Sequence, residues 1–244
     1  VIRHAALLLT LLLPMAAVAE EAGALRTEAG VVARDGAAAG AVVWLHPHYT
    51  EGPPPEAPAF MARLAARGWD LWRYDRPPGG PVPPASPLTA WVDPLAEGTA
   101  ALRARGYARV VLVGESRGAF LALAALRVPG LADAVALAAP AAHGRRADRQ
   151  SRALADFAAA LDRAAPDSVR RIALLLFDND GWDPDPTARA ALFRAAVARL
   201  GWDALLVDRP AAPTGHGGVQ EPEFDAIFGA CLSDFLEGRS AACP

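Results

Sequence analysis

Hydrophobic residues along this chain gather in short runs of two kinds, and the two kinds take turns. Ala41–Leu45, Arg109–Val113, Ala134–Ala138, Ile172–Phe177 and Ala204–Asp208 are nearly unbroken apolar runs of strand length, and Trp69–Tyr74 alternates apolar with polar side chains. Unbroken runs fit strands buried on both faces, and alternation fits a strand with one wetter face. Between them the apolar positions recur at helical spacing. Phe60, Met61, Leu64 and Ala65 form one such face before Gly68. Ala119–Leu126, Arg149–Ala164 and Glu223–Glu237 form others. Asp93-Pro94 and Asp185-Pro186 have the form of a helix start, an acidic N-cap followed by a proline whose missing N–H is not needed there, and Gly106 and Gly201 offer the exits.

Strands alternating with helices predict an α/β domain, an open and mostly parallel doubly wound sheet covered by helices on both faces. Leu25–Gly40 can supply one hairpin at most, and the stretch from Ala139 to Ile172 leaves no room for a large lid domain. Arg76–Pro87 holds six prolines and two glycines and reads as a stiff irregular loop able to overhang a site.

A length of 244 residues at 53% hydrophobic content suffices for one substantial core. Residues 1–19 read as a signal peptide. Arg3 and His4 precede an apolar run from Ala5 to Val18, and Ala17-Val18-Ala19 supplies a cleavage site before Glu20-Glu21. That run, interrupted by Pro14, is too short to span a membrane. The expectation is a periplasmic or secreted protein with a single domain over 20–244 and no membrane contact once the leader is removed. In an oxidising compartment Cys231 and Cys243 either pair, tying the tail to the last helix, or remain free thiols; neither has a metal-site pattern, and no metal or cofactor is expected. A formal charge of −3 without an evident basic cluster argues against nucleic acid and for a small neutral substrate molecule.

The chemistry concentrates at Gly114-Glu115-Ser116-Arg117-Gly118, where an apolar strand runs directly into a helix-forming segment. A turn that tight holds the serine in strained geometry and leaves room only for neighbours without side chains. The new helix presents unsatisfied N–H groups beside the serine, where an oxyanion would develop. Late in the chain come an aspartate-rich loop, Asp178 to Asp185, and a Gly215-His216-Gly217 loop. Early in the chain a strand is followed by His46-Pro47, and Tyr74-Asp75-Arg76-Pro77-Pro78-Gly79-Gly80 is similar to a D-x-R-G-x-G loop.

By these motifs the chain resembles the α/β-hydrolase superfamily from about Val31 to Leu236. The resemblance implies hydrolysis of an ester, thioester or amide through an acyl-enzyme, with the residues in the order Ser, Asp or Glu, His. Ser116 is then the nucleophile and His216 the base, and the acid is Asp178, first off its strand, or alternatively Asp180. Asp185 is better explained as a helix cap. The oxyanion donors implied are the backbone N–H of Arg117 and one from His48 or Tyr49, because proline stands at position 47 where members usually have glycine. The leading expectation is a carboxylic ester hydrolase; a peptidase of the same fold, for which Arg117 and Arg145 would supply a fixed charge, and a non-catalytic protein retaining the fold are the alternatives. Glu115 and Arg117 are expected to point away from the substrate.

Overall fold

The computed structural model describes residues 24–28, 31–76, 88–145, 147–240 and 243–244; the expected leader and most of the proline-rich loop lie outside them. Seven strands form one sheet: β1 (Ala24–Thr27), β2 (Gly40–Leu45), β3 (Trp69–Asp75), β4 (Val110–Glu115), β5 (Ala134–Ala138), β6 (Arg171–Leu176) and β7 (Asp203–Asp208). Their order across the sheet is β1-β3-β2-β4-β5-β6-β7, and every pair is parallel except β1 with β3. The doubly wound arrangement expected from the alternating runs is therefore present, and no second domain is added to it among the described residues.

The strand order fixes where a site can form. From β2 the chain steps outward to β3 and then returns to the opposite side of β2 as β4. Successive connections thus diverge at the β2–β4 pair, and the carboxyl ends of those strands flank a crevice that no crossover helix covers. Leu45, the last residue of β2, is in register with Gly114 at the end of β4, so the loops leaving these strands start side by side.

Burial on both faces accounts for the apolar runs. Ala41, Val43, Leu45, Val110 and Leu112 face one core; it is completed by α2 (Val92–Ala104), α3 (Arg117–Ala125), α5 (Ala153–Asp162) and α6 (Pro186–Leu200) through Leu95, Leu121, Phe157 and Phe193. Val42, Trp44, Val111 and Val113 face the other, completed by α1 (Met61–Ala66) and α8 (Ala230–Glu237) through Met61, Leu64, Leu232 and Leu236. Each Val, Leu, Met or Phe among them, fully removed from water, contributes about 1.5–3 kcal/mol before the entropy of ordering it is counted. The sheet is thereby a rigid platform for the loops at its carboxyl edge.

Four local expectations are revised. Asp93 does not cap α2; a 3₁₀ turn at Leu88–Trp91 feeds straight into the helix, and Pro94 falls within the first turn, where a missing N–H is still harmless. The helix expected over Arg149–Ala164 is divided into α4 (Ala147–Gln150) and α5. The closing helix is divided too, with α7 (Pro222–Phe224) and a π-turn at Asp225–Gly229 ahead of α8. In place of an early hairpin, β1 adds to the outer edge of β3 and a 3₁₀ turn fills Asp35–Ala37. At α6 the punctuation is as read: the Asp185 carboxylate accepts from the Ala188 N–H at 2.8 Å, and Gly201 leaves the helix at φ 73°.

Cys231 in α8 and Cys243 are joined as a disulfide, with their Cα atoms 5.4 Å apart and 12 positions apart in sequence. The tail is thereby fastened to the helix that covers the second core. Closing a loop of this size removes unfolded-state entropy worth about 3 kcal/mol at most. Cys243→Ser is expected to lower unfolding free energy by up to about that amount, and reduced wild type should give the same urea transition as the variant.

Candidate active site

Ser116 joins β4 to α3 with φ 52° and ψ −116°, conformational space that a residue bearing a side chain rarely enters. Both flanking glycines are sterically required. A Cβ on Gly114 would lie 2.7 Å from Ala119 Cα, and one on Gly118 would lie 1.9 Å from the carbonyl oxygen of Leu45. The turn is pinned from its neighbour as well: Ser116 N–H donates to Ala138 O at 2.9 Å, and Ala141 N–H donates to Ser116 O at 3.1 Å. The residue is 8% exposed.

The late loops meet it there. His216 Nε2 lies 2.8 Å from Ser116 Oγ, and His216 Nδ1 lies 2.9 and 3.0 Å from the two carboxylate oxygens of Asp180. An ionised carboxylate only accepts, so Nδ1 carries the proton and Nε2 is left free to accept from the serine hydroxyl. Trp182 holds the pair in place: its backbone N–H donates to Asp180 Oδ1 at 2.8 Å, and its indole stacks on the His216 ring at 5.2 Å.

Of the two aspartates expected as the acid, the structure places Asp180, the alternative, and not Asp178 against His216. Asp178 is exposed, and only its backbone carbonyl is engaged near His216, accepting from the Gly215 N–H at 2.6 Å. The reason is Asn179, at φ 59°, which turns the chain through the left-handed region so that the second aspartate faces the histidine. Asparagine tolerates that region better than most residues. Asp183 has a separate task, a buried ion pair with Arg189 at 3.4 Å; burial pushes its carboxyl up, and Arg189 partly offsets this.

Arg117 N–H is the first of α3, among the donors a helix leaves unsatisfied, and His48 lines the same cavity as Ser116. Tyr49 packs behind the loop, with its ring edge-on to His46 at 4.9 Å and its hydroxyl donating to Arg76 O at 3.0 Å. The expectation that both neighbours of Ser116 point away holds for Glu115, whose buried carboxylate accepts from Gln220 at 2.7 Å. It fails for Arg117, whose residue lines the cavity and whose guanidinium sits over the Trp91 ring at 5.4 Å.

Sequence reasoning missed what holds the loop containing Pro47. The guanidinium of Arg76, a residue 4% exposed, donates to the carbonyl oxygens of His46 and Pro47, and His46 Nδ1 lies 2.8 Å from Pro47 O. A proline cannot form the loop by glycine's freedom, and a buried cation gathering its carbonyls supplies a substitute. The only sequence signal was Arg76 itself, within the loop after β3. Burial and the Arg117 charge pull the Arg76 guanidinium down to about 10. Burial, helped by Arg76, likewise drives His46 down to about 4.

The cavity above these residues has a volume of about 710 Å³, with Pro47, Ala141, Ala142 and Trp182 in its walls. His143 also lines it and pairs with Asp156 at 2.7 Å. Among the described residues no group of His, Cys, Asp and Glu is placed to hold a metal ion, and no helix is long and apolar enough to cross a membrane.

No family model matches the chain. No curated protein matches it. Solved structures do. A brefeldin A esterase, described as a bacterial homologue of human hormone sensitive lipase, aligns over 95% of this chain and 80% of its own at TM-score 0.57 and 17% identity. An acetyl ester-xyloside bifunctional hydrolase from Caldicellulosiruptor lactoaceticus aligns over 88% and 86% at TM-score 0.59 and 13% identity. The chain has the α/β-hydrolase fold. One of two prolyl endopeptidases described together shares the same fold over 84% of this chain at TM-score 0.60 and 21% identity, and there the chain spans only 34% of the longer protein. Within this fold the crevice at the β2–β4 divergence is occupied here by Ser116, His216 and the loop after β2.

His46 provides a test of the buried loop. Its folded value lies near 4 against an ordinary 6.5, so the unfolded chain takes up a proton first as pH falls. The stability this group contributes is present above pH 6.5 and is lost as pH falls toward 4. The loss amounts to about 3 kcal/mol. Urea titrations across that range should show the decline, and His46→Gln should flatten it.

Proposed function

We propose that this protein is an exported serine hydrolase that cleaves carboxylic esters of small or medium size through an acyl-enzyme. The observation that carries the reading is the hydrogen-bonded chain from Ser116 Oγ through His216 to Asp180. A serine hydroxyl is a poor nucleophile unless a base takes its proton as it attacks. In the proposed reaction Oγ attacks the ester carbonyl while His216 Nε2 receives the hydroxyl proton. The ester C–O bond then breaks, and His216 returns that proton to the departing alcohol. Water next attacks the acyl-serine, His216 again takes a proton, and the acid is released with Ser116 restored. Asp180 orients the imidazole and stabilises its cationic form without becoming protonated.

The tetrahedral oxyanion is assigned to the Arg117 N–H and to an N–H of the His46–Tyr49 loop, the latter from His48. A donor of this kind contributes about 3 kcal/mol to the transition state. Export is supported by the leader-like residues 1–19 and by the Cys231–Cys243 disulfide, since such bonds persist mainly in oxidising compartments. A peptidase is the second reading. It is favoured by the arginines that line the cavity, a fixed charge of the kind that can hold a substrate terminus. Matched p-nitrophenyl esters and p-nitroanilides of the same acyl group separate the two readings.

With p-nitrophenyl acetate, butyrate and octanoate, turnover is expected from wild type and absent from Ser116→Ala, and a fluorophosphonate probe should label only wild type. Asp180→Asn should reduce kcat by about 10³–10⁴-fold, because an amide neither fixes the productive tautomer of the imidazole nor stabilises its cation. Asp178→Asn should leave kcat near wild type; the reverse ranking of the two aspartates would overturn the assignment. A folded wild type that neither hydrolyses these esters nor takes the probe would instead be a non-catalytic member of the fold.

A further inference from the structure

Positive charge collects around the cavity without matching negative charge. Arg117, Arg145, Arg149 and Arg152 line it, and Asp148 is the one acidic residue among the described residues that does. Asp156 lies 3.8 Å from Arg152, leaving that guanidinium partly compensated. Among the described residues no carboxylate lies within 4 Å of Arg117, Arg145 or Arg149. Arg117 is half-buried beside the serine, and burial pulls its guanidinium down from the ordinary arginine range. Its guanidinium and that of Arg76 both lie over the Trp91 ring, with the guanidinium carbons 5.4 and 5.8 Å from the ring centre.

Arg145 is placed by the loop that carries the acid. The Arg145 guanidinium packs against Gly181, between Asp180 and Trp182, where a Cβ would sit 3.4 Å from its Nε and Nη2. Gln150 of α4 donates to Gly181 O at 2.9 Å, tying the arginine-bearing segment to the same loop. Arg149 stands on α4 itself. The cavity thus has an apolar floor and wall near Ser116 and His216, with guanidiniums around it.

We propose that this cavity takes an ester whose substrate also bears a carboxylate, held by Arg117, Arg145 and Arg149 while the scissile carbonyl reaches Ser116. The proposal rests on the serine hydrolase reading and replaces the neutral substrate expected from overall charge. A net charge near zero says little about a cavity, because the field there is set by the groups that line it. Guanidinium forks match the planar, two-oxygen geometry of a carboxylate, and their attraction is strongest where water is partly excluded. A substrate carboxylate would supply a counter-charge to the guanidiniums that line the cavity.

Two pairs of esters test this, each pair differing by one charge. The acyl-side pair is mono-p-nitrophenyl adipate against p-nitrophenyl hexanoate. The alcohol-side pair is the butyrate ester of 4-hydroxybenzoate against that of 4-hydroxybenzamide. In at least one pair kcat/KM should favour the anionic member by about tenfold or more, and the ratio should fall as salt rises. Arg145→Gln and Arg149→Gln, both at exposed positions, should each lower that ratio several-fold. Serine-dependent turnover of the neutral esters with a ratio near one in both pairs would overturn the proposal and leave the hydrolase reading intact. Calorimetry of adipate with Ser116→Ala gives a readout independent of turnover. If no ester is cleaved but adipate binds, and the Arg145→Gln/Arg149→Gln pair weakens it tenfold, the anion site stands and the hydrolase reading falls. Absence of both turnover and binding would overturn both.

Discussion

A left-handed serine with no room for a side chain on either flank is the constraint on which the rest of the site depends. Holding Ser116 at φ 52° costs on the order of 1–3 kcal/mol, and such a conformation persists only where its surroundings over-determine it. Here they do. β4 is paired on both sides, by β2 and β5, and α3 returns so closely over the strand end that Gly118 abuts the carbonyl of Leu45. That contact also sets the distance between the loop after β2 and the serine, so the nucleophile's strain and the position of the oxyanion loop are one packing problem. The many kcal/mol held in the two hydrophobic cores make the cost bearable.

Electrostatics sets a second condition. The loop after β2 is gathered by a buried guanidinium, and the histidine within that loop is held neutral by the same burial and charge. Arg76 therefore acts on shape through its hydrogen bonds and on charge through its field. His46 shows the opposite face of the physics that keeps His216 useful: one imidazole is enclosed with a cation, the other meets a carboxylate and the cavity. Two histidines on one sheet edge thus have different tasks because of their partners.

Much of the fold was legible in the sequence, because burial on both faces imposes a signal that needs no knowledge of neighbours. Val110–Val113 reads as a strand since neither face is polar, and Asp185-Pro186 reads as a helix start since its hydrogen bond spans three residues. The serine and histidine of the site were legible for a similar reason, each being marked by local glycines. What stayed hidden was decided at longer range or by a single torsion. Asp178 and Asp180 differ only by the left-handed turn at Asn179, which composition does not encode. The α2 start was decided by a 3₁₀ turn preceding it. The contact of Arg76 with His46 joins residues 30 positions apart in the loops after two different strands, and the arginines of the cavity converge only when α4 docks on the loop after β6.

The indole stacked on His216 has a further consequence. An imidazole in face contact with a tryptophan quenches its emission, and a charged imidazole quenches more strongly. Trp182 shares its hydrogen-bond acceptor with the same histidine. Protonation or displacement of that imidazole, or acylation of the serine beside it, therefore changes the light the protein emits. The chain carries, one residue beyond the loop glycine, a built-in optical gauge of the state of its own site.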